Sequence, residues 1–151
     1  MKKFLLCAAL FAAIGSLFAV ELPAAGWKIH TIQGKFKYQK DKYPLLISCQ
    51  QPTERDGKEG VWGRLYRKEM LEVGKKYEIK VTYKMTNAKK PVVAVWVRGG
   101  AAFNMFGRNV GVSKTLSRQF TVAKAETMIY INLQDDTADL EIASVEINPV
   151  E

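Results

Sequence analysis

The chain has 151 residues, a formal net charge of +8 and 48% hydrophobic residues. Its length suits one domain that buries roughly two-thirds of the surface of the unfolded chain, so no second domain is required. The charge would favour anionic partners, but the lysines are dispersed rather than gathered in a block, which is more typical of an ordinary solvated surface.

The N-terminus has the pattern of a secretory signal peptide. Lys2 and Lys3 precede an apolar stretch at 4–14, and small residues then lead to Ala19, after which we expect cleavage. The mature chain, residues 20–151, is predicted to be a single exported bacterial domain of net charge +6, periplasmic or extracellular, without a transmembrane segment. A retained N-terminal anchor is the alternative, although about 17 residues of mixed apolar and small character are short for a membrane span.

Cysteine usage excludes an internal disulfide in the mature chain. Cys7 lies inside the predicted signal peptide, so only Cys49 remains. Cys49 alternates in phase with Leu45 and Ile47. The pattern therefore predicts a buried, inert thiol.

The upstream half of the mature chain is predicted to form short strands. Residues 62–73 also fit a helix, because Leu65, Glu69 and Glu72 follow helical spacing. Aromatic and branched residues in the first half of that segment favour a strand. The predicted upstream strands are 27–32, 35–38, 45–50 and 61–66.

The downstream half alternates clearly between apolar and polar residues, the pattern of strands with one buried face. The alternation slips near Ala143, which predicts a β-bulge. Turn residues separate the segments, and Pro91 is placed to start a strand. Eight or so short strands indicate an all-β, antiparallel β-sandwich, most simply a jelly roll. The alternating segments are 77–85, 93–97, 129–133 and 140–147.

Four segments resemble the second half of carbohydrate-binding modules of families 4 and 9 and their galactose-binding-like relatives: "LEVGKKYEIKVTYKM", "PVVAVWVR", "SRQFTV" and "LEIASVEI". The resemblance covers residues 71–147 and implies a jelly-roll β-sandwich with a polysaccharide or oligosaccharide as its partner. Family members often carry acidic residues just before the closing valine, where this chain has Ala143 and Ser144. A structural calcium ion is therefore not supported by the sequence, and no cofactor is predicted.

The strand alternation also predicts which side chains the core does not use. If the valines of 93–97 point inward, Trp96 and Arg98 point outward, and the same argument applies to Arg64 and Tyr130 on their strands. Aromatic rings can stack on the apolar face of a pyranose, and amides and guanidinium groups can bond its hydroxyls. A small surface cluster, or an interface with a protein partner, explains the same residues, and the alternation does not say whether these strands are neighbours. The predicted ligand contacts are Trp62, Tyr66, Trp96, Arg98, Asn132 and Gln134.

The loop predicted at 99–111 lacks the spacing of a phosphate-binding loop, and no nucleic-acid motif or His/Cys metal set occurs. We expect Phe103 and Phe106 in this loop to cover one end of the sandwich, the alternative being that they clamp a ligand. Catalysis is not predicted, because His30 is the single histidine. A small hydrolase would need two facing carboxylates, but both acidic groups are predicted to be turns. These groups are Glu54, Asp56 and Glu59, and Asp135, Asp136 and Asp139.

Overall fold

The computed structural model describes residues 20–99 and 102–151. Twelve strands and no helix occur in these two ranges. The strands are β1 (Lys28–Gln33), β2 (Lys35–Gln39), β3 (Leu45–Gln51), β4 (Thr53–Arg55), β5 (Lys58–Gly60), β6 (Trp62–Met70), β7 (Lys76–Thr86), β8 (Val92–Arg98), β9 (Phe103–Gly107), β10 (Ser113–Thr121), β11 (Glu126–Gln134) and β12 (Asp139–Val150).

Ten of the strands form two five-stranded antiparallel sheets. The first sheet has the order β1-β6-β11-β8-β9, the second has the order β10-β7-β12-β3-β2, and β4 and β5 form a separate hairpin. The chain crosses repeatedly between the sheets, so neighbouring strands within a sheet are mostly not consecutive in sequence. This arrangement confirms the predicted all-β, antiparallel jelly-roll sandwich.

The apolar residues of the alternating segments meet between the two sheets. Leu65, Val95 and Ile131 from the first sheet and Ile79 and Leu140 from the second are fully buried. Cys49 is buried with them, and burial raises the pKa of its thiol. The predicted burial of Cys49 is thus confirmed, and the raised pKa keeps its sulfur in the unreactive protonated form.

The predicted strand positions hold, with differences at their ends. Residues 62–70 are strand β6, so the helical alternative for this segment is wrong. The slip near Ala143 is a break in register between Ile142 and Ser144, and β8 begins directly after Pro91. The β4-β5 hairpin was not predicted, and the segment predicted as a loop at 99–111 contains β9.

The N-terminal part of the described chain contacts both sheets. Leu22 N donates to Val145 O at 2.7 Å, which extends the second sheet beside β12. Trp27 is 1% exposed, and the guanidinium of Arg67 lies 5.4 Å from the centre of its ring. The predicted signal peptide, residues 1–19, lies outside the described residues. The described residues contain no helix long and apolar enough to cross a membrane.

Candidate functional site

The outer surface of the first sheet carries a cluster of aromatic rings. We call this surface, formed by Trp62, Arg64, Tyr66, Trp96, Phe106 and Tyr130, the aromatic face. Its rings come from alternate positions of β6, β8, β9 and β11, the positions opposite the buried set.

The register of the sheet brings the rings together. Strand β11 lies between β6 and β8, and Tyr130 is directly opposite Tyr66 on one side and Trp96 on the other. The Tyr66 and Tyr130 rings stack with centroids 6.0 Å apart. Trp62 and Trp96 meet edge to face with centroids 5.8 Å apart. The three strands predicted to carry the site are therefore neighbours, a point that the alternation alone left open.

Arg64 occupies the centre of this cluster. Its guanidinium carbon lies 5.5 Å from the ring centre of Trp62, 5.0 Å from that of Trp96 and 4.8 Å from that of Tyr130. Each ring presents its electron-rich surface to the cation, an attraction that strengthens as water is excluded. Burial lowers the pKa of Arg64, but an arginine still remains charged at neutral pH.

Asn132 lies beneath the rings rather than beside a ligand. Its side chain is fully buried, and its Oδ1 accepts hydrogen bonds from Trp62 Nε1 at 3.1 Å and from Arg64 Nε at 2.7 Å. Its Nδ2 donates to Ala94 O at 2.9 Å. In this conformation Asn132 has no surface with which to touch a sugar, so its predicted role as a contact is replaced by that of a support for Trp62 and Arg64.

Arg98 and Gln134 lie at the two ends of the cluster. Arg98 stacks 5.4 Å from the centre of the Trp96 ring, and its nitrogens donate to Phe103 O at 3.0 Å and to Asn104 Oδ1 at 2.8 Å. Gln134 is half-buried and pairs across the strands with Trp62. Trp96 Nε1 is buried without a hydrogen-bond partner among the described residues, so the Trp96 ring is held by packing and by the two guanidinium groups.

The two phenylalanines of the β9 segment have different roles. Phe103 is buried and packs on Phe120 with ring centroids 5.4 Å apart, as predicted for a residue that covers the sandwich. Phe106 points outward and is 55% exposed, so the predicted covering role is wrong for it. The signal was present in the sequence, because Phe103, Met105 and Gly107 alternate with Asn104 and Phe106.

The groups considered for catalysis do not converge. His30 is exposed on β1 opposite Arg64, whereas Cys49 lies in the core. Asp56 and Gly57 form the turn between β4 and β5 with positive φ angles. No group of three or more His, Cys, Asp and Glu side chains within 20–99 and 102–151 is placed to hold a metal ion.

The second acidic group is used in connections between strands. Asp136 accepts hydrogen bonds from the backbone N–H groups of Lys89 and Lys90, and the bond from Lys90 is the main cause of its lowered pKa. Asp139 accepts hydrogen bonds from Ser48 and Asn87. The predicted turns hold for Asp56, Asp135 and Asp136, whereas the prediction is wrong for the strand residues Glu54, Glu59 and Asp139.

No family model and no curated protein matches the chain, but solved structures do. A CBM4 structure aligns with a TM-score of 0.64 and 16% identity over 85% of this chain and 89% of its own. TmCBM61 in complex with β-1,4-galactotriose aligns with a TM-score of 0.56 and 11% identity over 85% and 91%. The N-terminal cellulose-binding domain of β-1,4-glucanase C from Cellulomonas fimi aligns with a TM-score of 0.56 and 15% identity over 83% and 90%. The chain therefore has the jelly-roll fold of carbohydrate-binding modules, as the sequence resemblance predicted.

Proposed function

We propose that this protein binds saccharides on the aromatic face and catalyses no reaction there. The observation that carries the proposal is the register, which places Tyr66, Tyr130 and Trp96 in one row across three adjacent strands. A row of rings on a sheet is a surface on which the flat apolar faces of sugar units can stack.

The way in which the rings are held also suits this role. Arg64 contacts three of them and is itself fixed by Asn132, so the side chains are ordered before any ligand arrives. A preorganised surface loses less conformational entropy on binding and so keeps more of its interaction energy. Arg98 and Gln134 at the two ends can donate hydrogen bonds to sugar hydroxyls.

The fold comparison supports the ligand class. One of the similar structures is bound to β-1,4-galactotriose and another is a cellulose-binding domain. Both names point to polysaccharides or their oligosaccharide fragments, and we assign the same class of ligand to this chain.

The proposal is tested on a glycan array at low and high salt, comparing the wild type with Trp96→Ala. We expect salt-resistant binding that falls at least about tenfold in the variant, since a central ring contributes about 2 kcal/mol or more at a binding surface. Tyr77→Ala is the matched control, because Tyr77 is a partly buried ring that stacks on Phe120 in the second sheet. It should bind as the wild type does.

Thermal unfolding of both variants separates lost contacts from lost folding. Binding that Trp96→Ala retains at full strength would contradict the proposal. An absence of binding to any glycan, with a molecular mass that rises with concentration in light scattering, would instead favour a protein-interaction domain.

Export and processing form a second part of the proposal. Val20, the residue that follows the predicted cleavage site, is bound to the domain, because its N donates to Asn148 Oδ1 at 2.7 Å. N-terminal sequencing of the protein recovered from the periplasm or medium of a bacterial host should start at Val20. Recovery of a membrane-bound chain that still contains residues 1–19 would support the retained anchor.

A further inference from the structure

Arg64 is a partly buried cation without a carboxylate partner among the described residues. None of the ion pairs in these ranges includes it, whereas Arg67 on the inner side of the same strand pairs with Glu69. A charge withdrawn from water and left unpaired is costly, and an incoming anion recovers part of that cost. The contrast between the two arginines shows that β6 provides a partner for one of them and not for the other.

The geometry of Arg64 leaves its donor fork free. Its Nε is bound to Asn132, and the three surrounding rings fix the plane of the guanidinium. The two terminal nitrogens have no hydrogen-bond partner in the described chain, and neither is among its buried unpaired atoms, so both reach solvent. A planar guanidinium with free terminal N–H groups matches a carboxylate in a bidentate arrangement.

The charges around Arg64 have the same sign. Lys28 and Arg98 project from the same side of the sheet, by their register with Tyr66 and Met128. The carboxylate of that surface, Glu126, is already paired with Lys68 at 2.7 Å. An anion on the aromatic face would therefore meet cations at its centre and on both sides.

We propose that the saccharide bound by the aromatic face is acidic, with the carboxylate of a uronate unit on the terminal nitrogens of Arg64 and its ring on the neighbouring aromatics. This inference rests on the proposed function and narrows its ligand class. The stacking surface selects a sugar, and the unpaired guanidinium at its centre selects the charge.

The experiment compares each acid with its own neutral form. Trigalacturonate and trimannuronate are titrated into the protein by calorimetry at physiological salt, beside their methyl esters and neutral β-1,4-galactotriose. We expect at least one acid to bind about tenfold or more tightly than its ester, since hydrogen bonds between two charged groups are stronger than those to a neutral group.

Arg64→Gln should bring the ratio of acid to ester affinity close to one, and Arg64→Lys, which keeps the charge but not the fork, should give an intermediate ratio. Lys84→Gln is the control, because it removes one positive charge from an exposed position on the second sheet. It should leave the ratio unchanged. Thermal unfolding verifies that each variant is folded. If Arg64→Gln is unfolded, the comparison between the wild type and Arg64→Lys serves as the test.

The outcomes separate the two proposals. Equal binding of acids, esters and galactotriose would overturn the acidic ligand and leave saccharide binding intact. A preference for acid that persists in Arg64→Gln, or that falls equally in Lys84→Gln, would assign it to the overall charge and overturn the role of Arg64. Tighter binding of a sulfated galactotriose than of either uronate would overturn the proposal that the anionic group of the ligand is a carboxylate. If none of these probes binds and the glycan array is also empty, the proposed function itself fails.

Discussion

The outer faces of the two sheets follow the same strand alternation but present different chemistry. The outer face of the second sheet, which we call the polar face, carries Ser48, Glu78, Lys80, Thr82, Thr115 and Ser117. Its side chains pair with one another, as in the 2.9 Å hydrogen bond between the hydroxyls of Thr82 and Thr115. The aromatic face instead carries rings around an unpaired guanidinium. A face of the first kind is sufficient for folding and solubility, so the aromatic face needs another explanation, and the proposed saccharide binding is one.

Each face also contains a buried hydrogen-bonding residue, and the two residues serve different ends. Ser48 on the polar face is 5% exposed, donates to Asp139 and accepts from Gln50 Nε2 at 2.8 Å. Asn132 on the aromatic face bonds Trp62, Arg64 and the backbone of β8. The first network joins polar groups that water could also satisfy, whereas the second fixes the rings and the cation of the aromatic face.

The largest effect on both stability and saccharide affinity is expected from Asn132→Leu. The substitution removes the acceptor of Trp62 Nε1 and Arg64 Nε and leaves Ala94 O without its partner, so we expect a loss of about 2–4 kcal/mol in the free energy of unfolding. Saccharide affinity should fall as well, because the guanidinium and the indole lose their common anchor. Denaturant unfolding and calorimetry measure the two losses.

Ser48→Ala is the matched comparison on the polar face. We expect it to lower the free energy of unfolding by about 1–2 kcal/mol, because it leaves Asp139 with one donor fewer, and to leave saccharide affinity unchanged. If Ser48→Ala weakens saccharide binding as much as Asn132→Leu does, the proposed difference in function between the two faces is wrong.

A smaller, pH-dependent effect is expected from Asp136, which belongs to neither face. Its carboxylate joins the turn between β11 and β12 to the turn between β7 and β8, two of the connections that pass between the sheets. Its pKa is lowered from 3.8 in the folded protein, mainly by the N–H of Lys90. The stabilisation is therefore complete above that value and is lost as the pH falls through the lower, folded pKa.

Asp136→Asn should lower the free energy of unfolding at pH 7 by about 1 kcal/mol and flatten its decrease below pH 3.8. Denaturant melts at several pH values measure both effects. The stability of the variant should still fall somewhat in acid, because hydrogen bonds from the Ser117 hydroxyl and from Lys80 lower the pKa of Glu78 on the polar face. An unchanged pH profile in the variant would show that the Asp136 bonds do not stabilise the fold.

The sequence predicted the sandwich because alternation is a local property. The set Ile79, Val81, Tyr83 and Met85 needs only neighbouring residues to be recognised as the buried side of a strand, and all four are buried. The outward direction of Trp62, Trp96 and Tyr130 followed from the same rule. Their proximity did not, because the order of strands in a sheet depends on long-range pairing that alternation does not encode.

The errors at the site have the same origin. Asn132 has outward alternation, but the side chains of Trp62 and Arg64 from the adjacent strand close over it, and only the three-dimensional register shows this. Phe106 lies in the glycine-containing segment that is predicted as a loop, although its strand continues the first sheet. Hydrogen-bonded support and sheet edges are both tertiary features, and a single sequence gives little information about either.

The smallest effect on stability, and the finest test of the difference between the faces, is expected from Phe106→Ala. Phe106 is exposed on the edge strand β9, so its loss should change the free energy of unfolding by no more than about 0.5 kcal/mol. If a saccharide chain runs across the strands, a ring at the edge is reached only by longer ligands. Affinity for hexasaccharides should then fall several-fold while affinity for disaccharides stays the same, as measured by calorimetry.

The control is Val112→Ala, because Val112 is another exposed apolar residue and lies in the turn beyond β9. This substitution should change neither affinity. An equal loss for both lengths would place Phe106 at the centre of the site, and no loss for either would confine the binding surface to β6, β8 and β11.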